Sequence, residues 1–235
     1  MHTLSIPLRA EVHIWSACLT ENEYDLSYFS ALLSEDEHQR ADGLKFTKDK
    51  YAFVISRGIL RCLLGRYLKE DPHQIDILYG LWGKPCLSSK YSLRFNLSHS
   101  KDYALYAFTV YDEVGIDLEH IDPSLEVEEL AQTILSSQEK PYWAKIDPED
   151  KSSAFFKLWV YKEASLKASG RGWLSHQQEL PLPILENISQ ASCPHIENNN
   201  ITSPHYFEVI PGYASAFCVE RSCVRPFYYT WDLHL

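Results

Sequence analysis

The sequence predicts an α+β fold, because strand-like and helical patterns are mixed along the whole chain. A strand and a long helix open the chain, a run of strands fills its middle, and a second long helix precedes the last strands. Residues 102–108 (DYALYAF) also resemble residues 212–217 (GYASAF). Two related α+β halves explain this similarity, and chance explains it equally well because Tyr and Ala are common in strands.

The elements of the first half follow from its periodicity. Residues 11–17 alternate in the manner of a strand, and apolar residues recur at helical spacing over residues 51–68. Arg57 and Arg61, four positions apart, share one edge of this helix. Shorter strands are predicted at residues 75–79, 95–97 and 103–110, with a loop at 80–85 and a polar turn at 98–102.

The second half begins with a strand at residues 114–118 and a helix at 125–135. Ser136 to Glu139 matches a capping box, which opens a further helix. Residues 152–169 form the strongest helical pattern, and Gly170 ends it. The remaining predictions are an irregular, Pro-interrupted region at 180–200 and strands at 206–210, 213–219 and 227–231.

Composition restricts the class of protein. The chain has 235 residues, of which 45% are hydrophobic and 13% aromatic, so it can bury a core and is not generally disordered. No stretch approaches the roughly 18 apolar residues of a membrane helix, and no secretory signal is expected at the start. The net charge of −10 disfavours nucleic-acid binding but allows a local basic pocket for a phosphorylated small molecule.

The six cysteines contain no CxxC pair, which is typical of reduced thiols in a cytoplasmic protein. A disulfide between Cys218 and Cys223 is the less favoured alternative on spacing alone.

Two carboxylates share one face of the predicted strand at residues 114–118, the second of them one residue beyond its end. Asp117 and Glu119 are two positions apart, so their side chains project together while the apolar neighbours face a core. Like charges on one face are costly unless a cation lies between them, and Mg²⁺ commonly takes one or two carboxylates together with phosphate oxygens. A solvated strand end with two ordinary acids is the alternative.

A second cluster of candidate site residues lies on the predicted helix at residues 152–169. Trp159, Glu163 and Lys167 lie one turn apart on one stripe, so Glu163 is a candidate metal ligand or general base. Lys162 and Lys167 are candidates for neutralising phosphate, and a plain surface ion pair is the alternative.

Two further segments offer ligand contacts. Ser98 and His99, placed at the predicted polar turn, provide hydroxyl, imidazole and backbone donors. Gly83 permits close approach of a ligand to the backbone, and Lys84 supplies a charge. Each segment taken alone is typical of an ordinary hydrogen-bonded turn.

Four blocks, in this order, resemble the 4′-phosphopantetheinyl transferase superfamily, specifically its longer single-chain, surfactin-synthetase-activating class. The blocks are Gly83-Lys84-Pro85, residues 95–100 (FNLSHS), residues 114–119 (VGIDLE), and Trp159 with residues 162–167 (KEASLK). The last two match the signature of the family, and the interval of 46 positions from Asp117 to Glu163 lies within its usual range.

The resemblance implies an enzyme that moves the phosphopantetheine arm of coenzyme A onto a serine of an apo acyl or peptidyl carrier protein. It implies two similar α+β halves, residues 1–110 and 111–235, with the active site at their junction. Because one chain then supplies both sides of the site, we expect an active monomer, and neither nucleic acid nor a membrane is expected as a partner.

The resemblance also assigns roles to residues. Asp117, Glu119 and Glu163 would hold Mg²⁺ and bridge it to the coenzyme A pyrophosphate, with Asp117, Glu163 and Lys167 as the catalytic set. Glu163 is the candidate base, and Lys167 would hold the pyrophosphate. The remaining coenzyme A contacts would be Arg40, Lys84, Pro85, Ser98, His99 and Lys162. Glu37 is acidic where some members carry a second lysine, which leaves open how many cations clamp the nucleotide.

Two other functions compete with this one. A non-catalytic module that binds coenzyme A or a carrier protein would be favoured by loss of a metal carboxylate or of Lys167, but all are present. A different Mg²⁺-dependent phosphotransferase or nucleotide hydrolase is the second alternative, and the chain lacks the GxxxxGK[ST] loop of its P-loop version. The sequence does not indicate which carrier protein is the natural substrate.

Overall fold

A computed structural model describes residues 5–20, 23–170, 204–220 and 224–232. Its helices within these ranges are α1 (Leu26–Ser30), α2 (Glu35–Asp42), α3 (Thr47–Leu68), α4 (Val127–Ile134), α5 (Lys140–Trp143) and α6 (Lys151–Ser169). Its strands are β1 (Glu11–Cys18), β2 (Leu78–Tyr79), β3 (Pro85–Cys86), β4 (Leu93–Ser100), β5 (Tyr103–Val110), β6 (Val114–His120), β7 (Pro204–Phe207), β8 (Tyr213–Val219) and β9 (Arg225–Thr230). None of the described helices is long and apolar enough to cross a membrane.

The strands form two main sheets. The first has the order β4-β5-β1-β9, in which β1 is antiparallel to β5 and parallel to β9. The second has the order β6-β8-β7 and is antiparallel, while β2 and β3 form a short ribbon. Strand β9, near the end of the chain, therefore joins the sheet that residues 1–110 begin, and the division of the chain at residue 110 stays a prediction.

The sheets pack face to face, and one long helix covers the outer face of each. Val12 and Ile14 of the first sheet share a buried apolar layer with Ile116 and Phe217 of the second. Alternate residues of β1 point the other way onto α3, and alternate residues of β8 point onto α6. The mixture of helices and sheets that the predicted α+β fold requires is confirmed, and the internal duplication stays a prediction.

The two arginines on one edge of α3 point into the protein. Arg61 is 1% exposed, and its Nε donates to Glu37 Oε2 at 2.6 Å. Arg57 Nε lies 3.7 Å from Glu37 Oε1, and Glu37 also caps α2 by accepting from the Ser34 N–H at 3.0 Å. One buried carboxylate thus ties α2 to α3.

The predicted polar turn at residues 98–102 is wrong. Strand β4 continues through Ser100, and its pairing with β5 runs from Leu93 opposite Val110 to Ser100 opposite Tyr103. Only residues 101 and 102 form the turn. The polar residues of this segment belong to the strand because they face another element, as described below.

The other predicted elements agree with the structure apart from their ends. The predicted strand at 75–79 reduces to β2, and the strand expected at 206–210 is β7. The capping-box bonds are present: the Ser136 N–H donates to Glu139 Oε2 at 2.8 Å, and the Glu139 N–H donates to Ser136 Oγ at 3.3 Å. Gly170 ends α6 with a φ of 64°. Residues 180–200 lie outside the described residues.

Candidate active site

A cleft opens where the edge strands β4 and β6 meet beside α6. It encloses about 470 Å³, and an adjoining cavity of about 240 Å³ shares Pro85, Leu97, Glu163 and Lys167 with it. The remaining lining of the cleft is Phe53, Ser56, Arg57, Ser98, His99, Asp117, Glu119 and Trp159. A larger surface cavity of about 600 Å³ lies elsewhere, beside Tyr67 and Lys69, and contains none of the predicted site residues.

Alternate polar side chains of β4 hold β6 in place. They are linked across the gap by hydrogen bonds of 2.9–3.1 Å: Asn96 Oδ1 accepts from the Ile116 N–H, Ser98 Oγ donates to Asp117 Oδ1, and Ser100 Oγ donates to Glu119 Oε2. Ser98 is therefore a buried side chain within a strand, not an exposed donor at a turn. Its bond fixes the position of the Asp117 carboxylate.

Close packing of β6 on α6 depends on Gly115. A Cβ at this position would lie 2.0 Å from the Ala164 carbonyl oxygen and 2.3 Å from the Ala168 nitrogen. Since alternate side chains of a strand face alternate sides, Asp117 and Glu119 share the face that Gly115 presents to α6. The two carboxylates thus face the helix that carries the other predicted catalytic residues.

Asp117 is buried, and its two oxygens have different surroundings. Oδ1 accepts from Lys167 Nζ at 2.6 Å and from Ser98 Oγ at 2.9 Å, and Lys167 Nζ also lies 3.0 Å from Ser98 Oγ. Oδ2 is buried without a hydrogen-bond partner. Burial raises the pKa of Asp117 above its ordinary value although Lys167 and Ser98 act in the opposite direction. A buried carboxylate oxygen without a donor is a position that a bound cation would satisfy.

Glu119 has a related electrostatic environment. It accepts hydrogen bonds from Ser100 and Trp159. Burial and the neighbouring negative charge of Asp117 raise the pKa of Glu119 to about 7. The protein's own cations therefore do not fully compensate this pair of carboxylates.

The donor set fits a magnesium ion held by two carboxylates. Mg²⁺ usually takes one or two protein carboxylates and keeps several waters, and Asp117 Oδ2 with Glu119 supplies such a pair. Glu163 lines the same cleft, but in the parts of the chain that the structure describes, no three His, Cys, Asp or Glu side chains form a group that could hold a metal ion. The structure thus brings two of the three predicted ligands together.

Two side chains in the lining of the cleft, Arg57 and Lys167, are cations. Desolvation, together with the positive charges of Lys167 and Arg57, lowers the pKa of His99. Arg57 Nη1 is buried without a hydrogen-bond partner, while the Nε side of the same guanidinium faces Glu37. The sequence indicated Arg57 by its spacing from Arg61, and the structure places it in the lining of the cleft as a cation suited to phosphate.

Two of the predicted coenzyme A contacts line neither the cleft nor the adjoining cavity. Lys162 is buried, and its Nζ bonds Glu139 at 2.8 Å, so it joins α6 to the segment before α5. Arg40 is exposed on α2, with its guanidinium carbon 3.8 Å from the centre of the Tyr79 ring. The structure does not bring either side chain to the carboxylate pair.

The turn between β2 and β3 forms a wall of the smaller cavity. Gly83 has a φ of 79°, which favours glycine, and the cavity is lined here by Trp82, Lys84 and Pro85. The Trp82 side chain is half exposed, so an apolar ring borders the opening. Lys84 and Pro85 line this cavity together with Lys167.

Two models of the same protein family match most of the chain. A family model described as the 4′-phosphopantetheinyl transferase superfamily matches residues 113–218, and one described as 4′-phosphopantetheinyl transferase, N-terminal, matches residues 15–110. The 4′-phosphopantetheinyl transferase HetI of Nostoc sp. is 39% identical over 168 residues, which cover 70% of this chain and 71% of the relative.

Two further relatives extend this similarity. The 4′-phosphopantetheinyl transferase Sfp of Bacillus subtilis is 28% identical over 198 residues, which cover 82% of this chain and 84% of the relative. The 4′-phosphopantetheinyl transferase AcpT of Salmonella typhimurium is 35% identical over 131 residues, which cover 55% of this chain and 67% of the relative. The region that the superfamily model matches, residues 113–218, contains Asp117, Glu119 and Glu163.

Proposed function

This chain belongs to the 4′-phosphopantetheinyl transferase superfamily, and we propose that it transfers the 4′-phosphopantetheine arm of coenzyme A to a serine of an apo acyl or peptidyl carrier protein. The other product is adenosine 3′,5′-bisphosphate. The observation that best supports this use of the cleft is the buried, incompletely hydrogen-bonded carboxylate of Asp117 between Lys167 and Glu119.

The reaction needs charge neutralisation, positioning and a proton acceptor. The serine hydroxyl attacks the pyrophosphate phosphorus that carries pantetheine, a new P–O bond forms, and the bond to the departing adenosine 3′,5′-bisphosphate breaks. Lys167 would stabilise charge on the pyrophosphate, since its Nζ already lies at the edge of the cleft. Glu163 would accept the serine proton, directly or through water.

Asp117 and Glu119 would hold Mg²⁺, with Glu163 as a third carboxylate nearby. The ion would act as a Lewis acid and template for the pyrophosphate. Ser98 keeps the Asp117 carboxylate oriented through its 2.9 Å hydrogen bond. The raised pKa of Glu119 agrees with a site that lacks a countercharge when no cation is bound.

The cationic and imidazole side chains of the cleft would take the phosphates of the nucleotide. Arg57 and His99 line the cleft directly, and Pro85 borders both cavities. Arg40 is kept apart from this set, because its guanidinium lies over the Tyr79 ring and neither residue lines the two cavities. We do not retain Lys162 among the proposed contacts, because its buried ion pair with Glu139 satisfies its charge.

We also propose an active monomer in the cytoplasm. Elements from both sheets of one chain form the cleft, so no second copy is needed to complete it. Sedimentation of the active enzyme as a monomer is expected, and an obligate dimer whose activity disappears on dilution would overturn this assignment.

Mass spectrometry of an apo carrier protein incubated with the enzyme, coenzyme A and Mg²⁺ tests the function. We expect the carrier to gain one phosphopantetheine group, and a carrier whose acceptor serine is replaced by alanine to gain nothing. A chelator should abolish the transfer if Mg²⁺ is required. The assay is repeated with a panel of apo carriers from fatty-acid, polyketide and nonribosomal-peptide systems. If all of these carriers stay unmodified although the protein binds coenzyme A, the result would favour the non-catalytic binding module.

A further inference from the structure

Lys84 is held by protein groups at the smaller cavity. Its Nζ donates to Glu113 Oε2 at 2.6 Å and to the Ala168 carbonyl at 3.1 Å, and its side chain is 14% exposed. Ala168 lies in the last turn of α6, where carbonyl groups lack partners within the helix. A lysine ammonium at this helix end is electrostatically favourable. Lys84 therefore caps the helix that carries the catalytic residues.

Glu113 connects this cap to the first sheet. Its second oxygen, Oε1, lies 3.3 Å from Arg94 Nε on β4. The Arg94 guanidinium is itself anchored, because Nη1 donates to the Tyr91 carbonyl at 2.7 Å and the Leu93 carbonyl at 3.2 Å. The anchored arginine, the shared carboxylate and the lysine form one continuous series of charge-assisted contacts.

The series ends close to the reaction centre. Lys167, which contacts Asp117 at 2.6 Å, lies one residue before Ala168, and both Lys84 and Lys167 line the smaller cavity. Gly170 ends the helix at the same place, and a Cβ there would meet the Lys84 side chain at 3.6 Å. A shift of the end of α6 would therefore move Lys167 relative to Asp117.

We propose that Glu113 is a positioning residue, which holds Lys84 against the end of α6 and thereby fixes Lys167 for catalysis. The brace consists of Arg94, Glu113 and Lys84. In this assignment Lys84 acts through the helix and not as a phosphate ligand, because its ammonium already has a carboxylate at 2.6 Å. The kinetic test of this inference rests on the proposed transfer reaction, whereas its structural test needs only the protein itself.

The kinetic test compares wild type, Glu113→Gln, Lys84→Met and the double variant, with coenzyme A varied at saturating carrier. We expect each single variant to lower kcat about tenfold, the KM for coenzyme A to change less than about twofold, and the double variant to be no worse than the worse single variant. Lys84→Arg should recover most of the rate, since it keeps the charge and the donors. Lys151→Met, which removes a cation from an ion pair at the other end of α6, should leave kcat unchanged.

A different pattern would overturn the proposal. If Lys84→Met raised the KM for coenzyme A tenfold or more while Glu113→Gln lowered it, Lys84 would be a phosphate ligand for which Glu113 competes. Additive losses in the double variant would show that the two residues act independently.

Amide hydrogen exchange of the enzyme alone supplies the structural test. Glu113→Gln should speed exchange at residues 168–170 and leave the first turns of α6 as in wild type. Unchanged exchange there would refute the brace. If wild type transferred nothing to any carrier, the proposed function would fail, whereas this exchange measurement would still decide whether the brace exists.

Discussion

Replacement of Gly115 by alanine should damage stability and activity together. The added Cβ would lie 2.0 Å from the Ala164 carbonyl oxygen, whereas ordinary contacts begin at 3.4 Å, so β6 and α6 must separate by about 1.4 Å. The atoms in the way belong to the helix backbone, and no side-chain rotation relieves the overlap. Overpacking of this kind costs about 1–3 kcal/mol, and the rigid contact places Gly115→Ala at about 3 kcal/mol.

This cost corresponds to a melting temperature lowered by about 6–12 °C in a chain of this length. The same displacement moves Asp117 away from Lys167, so kcat should fall about 10²-fold even below the melting transition. Calorimetry and the transfer assay measure the two effects. Gly43→Ala is the matched control, because Gly43 has a φ of −71° and a Cβ there meets its nearest neighbour at 3.4 Å.

The control should be as stable as wild type or slightly more stable. A Gly115→Ala protein that melted within about 2 °C of wild type and kept its full turnover would refute the argument that this glycine sets the spacing of strand and helix.

Three further predictions concern single side chains. Asp117→Ala should abolish transfer, whereas Glu119→Ala should retain part of it, because water can replace the Glu119 carboxylate at Mg²⁺. Near-wild-type turnover of Asp117→Ala at saturating Mg²⁺ would contradict the metal assignment. Glu163→Gln should lower kcat about 10²–10⁴-fold with little change in the Mg²⁺ requirement, whereas full recovery with excess Mg²⁺ would identify Glu163 as a ligand only. Burial lowers the pKa of His13, whose Nδ1 lies 2.9 Å from the Tyr67 hydroxyl, so the unfolded chain binds a proton more readily than the folded one. The free energy of unfolding should therefore fall as the pH drops below about 6.5, and denaturant titrations of His13→Gln should show a weaker dependence there; an identical dependence would exclude His13 as the cause.

The periodicity of apolar residues was sufficient to predict the two long helices and the face of β6 that carries the carboxylates. Val114, Ile116 and Leu118 are buried at 0–1% exposure, as their alternation with Asp117 and Glu119 required. These features depend on local spacing, which a single sequence displays directly.

Local pattern is least informative where a residue has a partner that is distant in the sequence. Ser98 has the composition of a turn, but it lies within β4 because Asp117 on another sheet accepts its hydrogen bond. Lys162 has the spacing of a phosphate ligand, but Glu139 from a separate segment neutralises it inside the protein. The parallel pairing of β1 with β9 joins residues more than 200 positions apart, and no local pattern encodes it.

The central claim is that this cleft joins phosphopantetheine to a carrier serine while releasing the rest of coenzyme A. Quantifying both products of one reaction tests it most directly, with holo carrier measured by intact mass and adenosine 3′,5′-bisphosphate by chromatography. We predict one nucleotide released for each carrier modified, and neither product with Asp117→Ala. Release of nucleotide without modification of any carrier would identify a hydrolase and contradict the account.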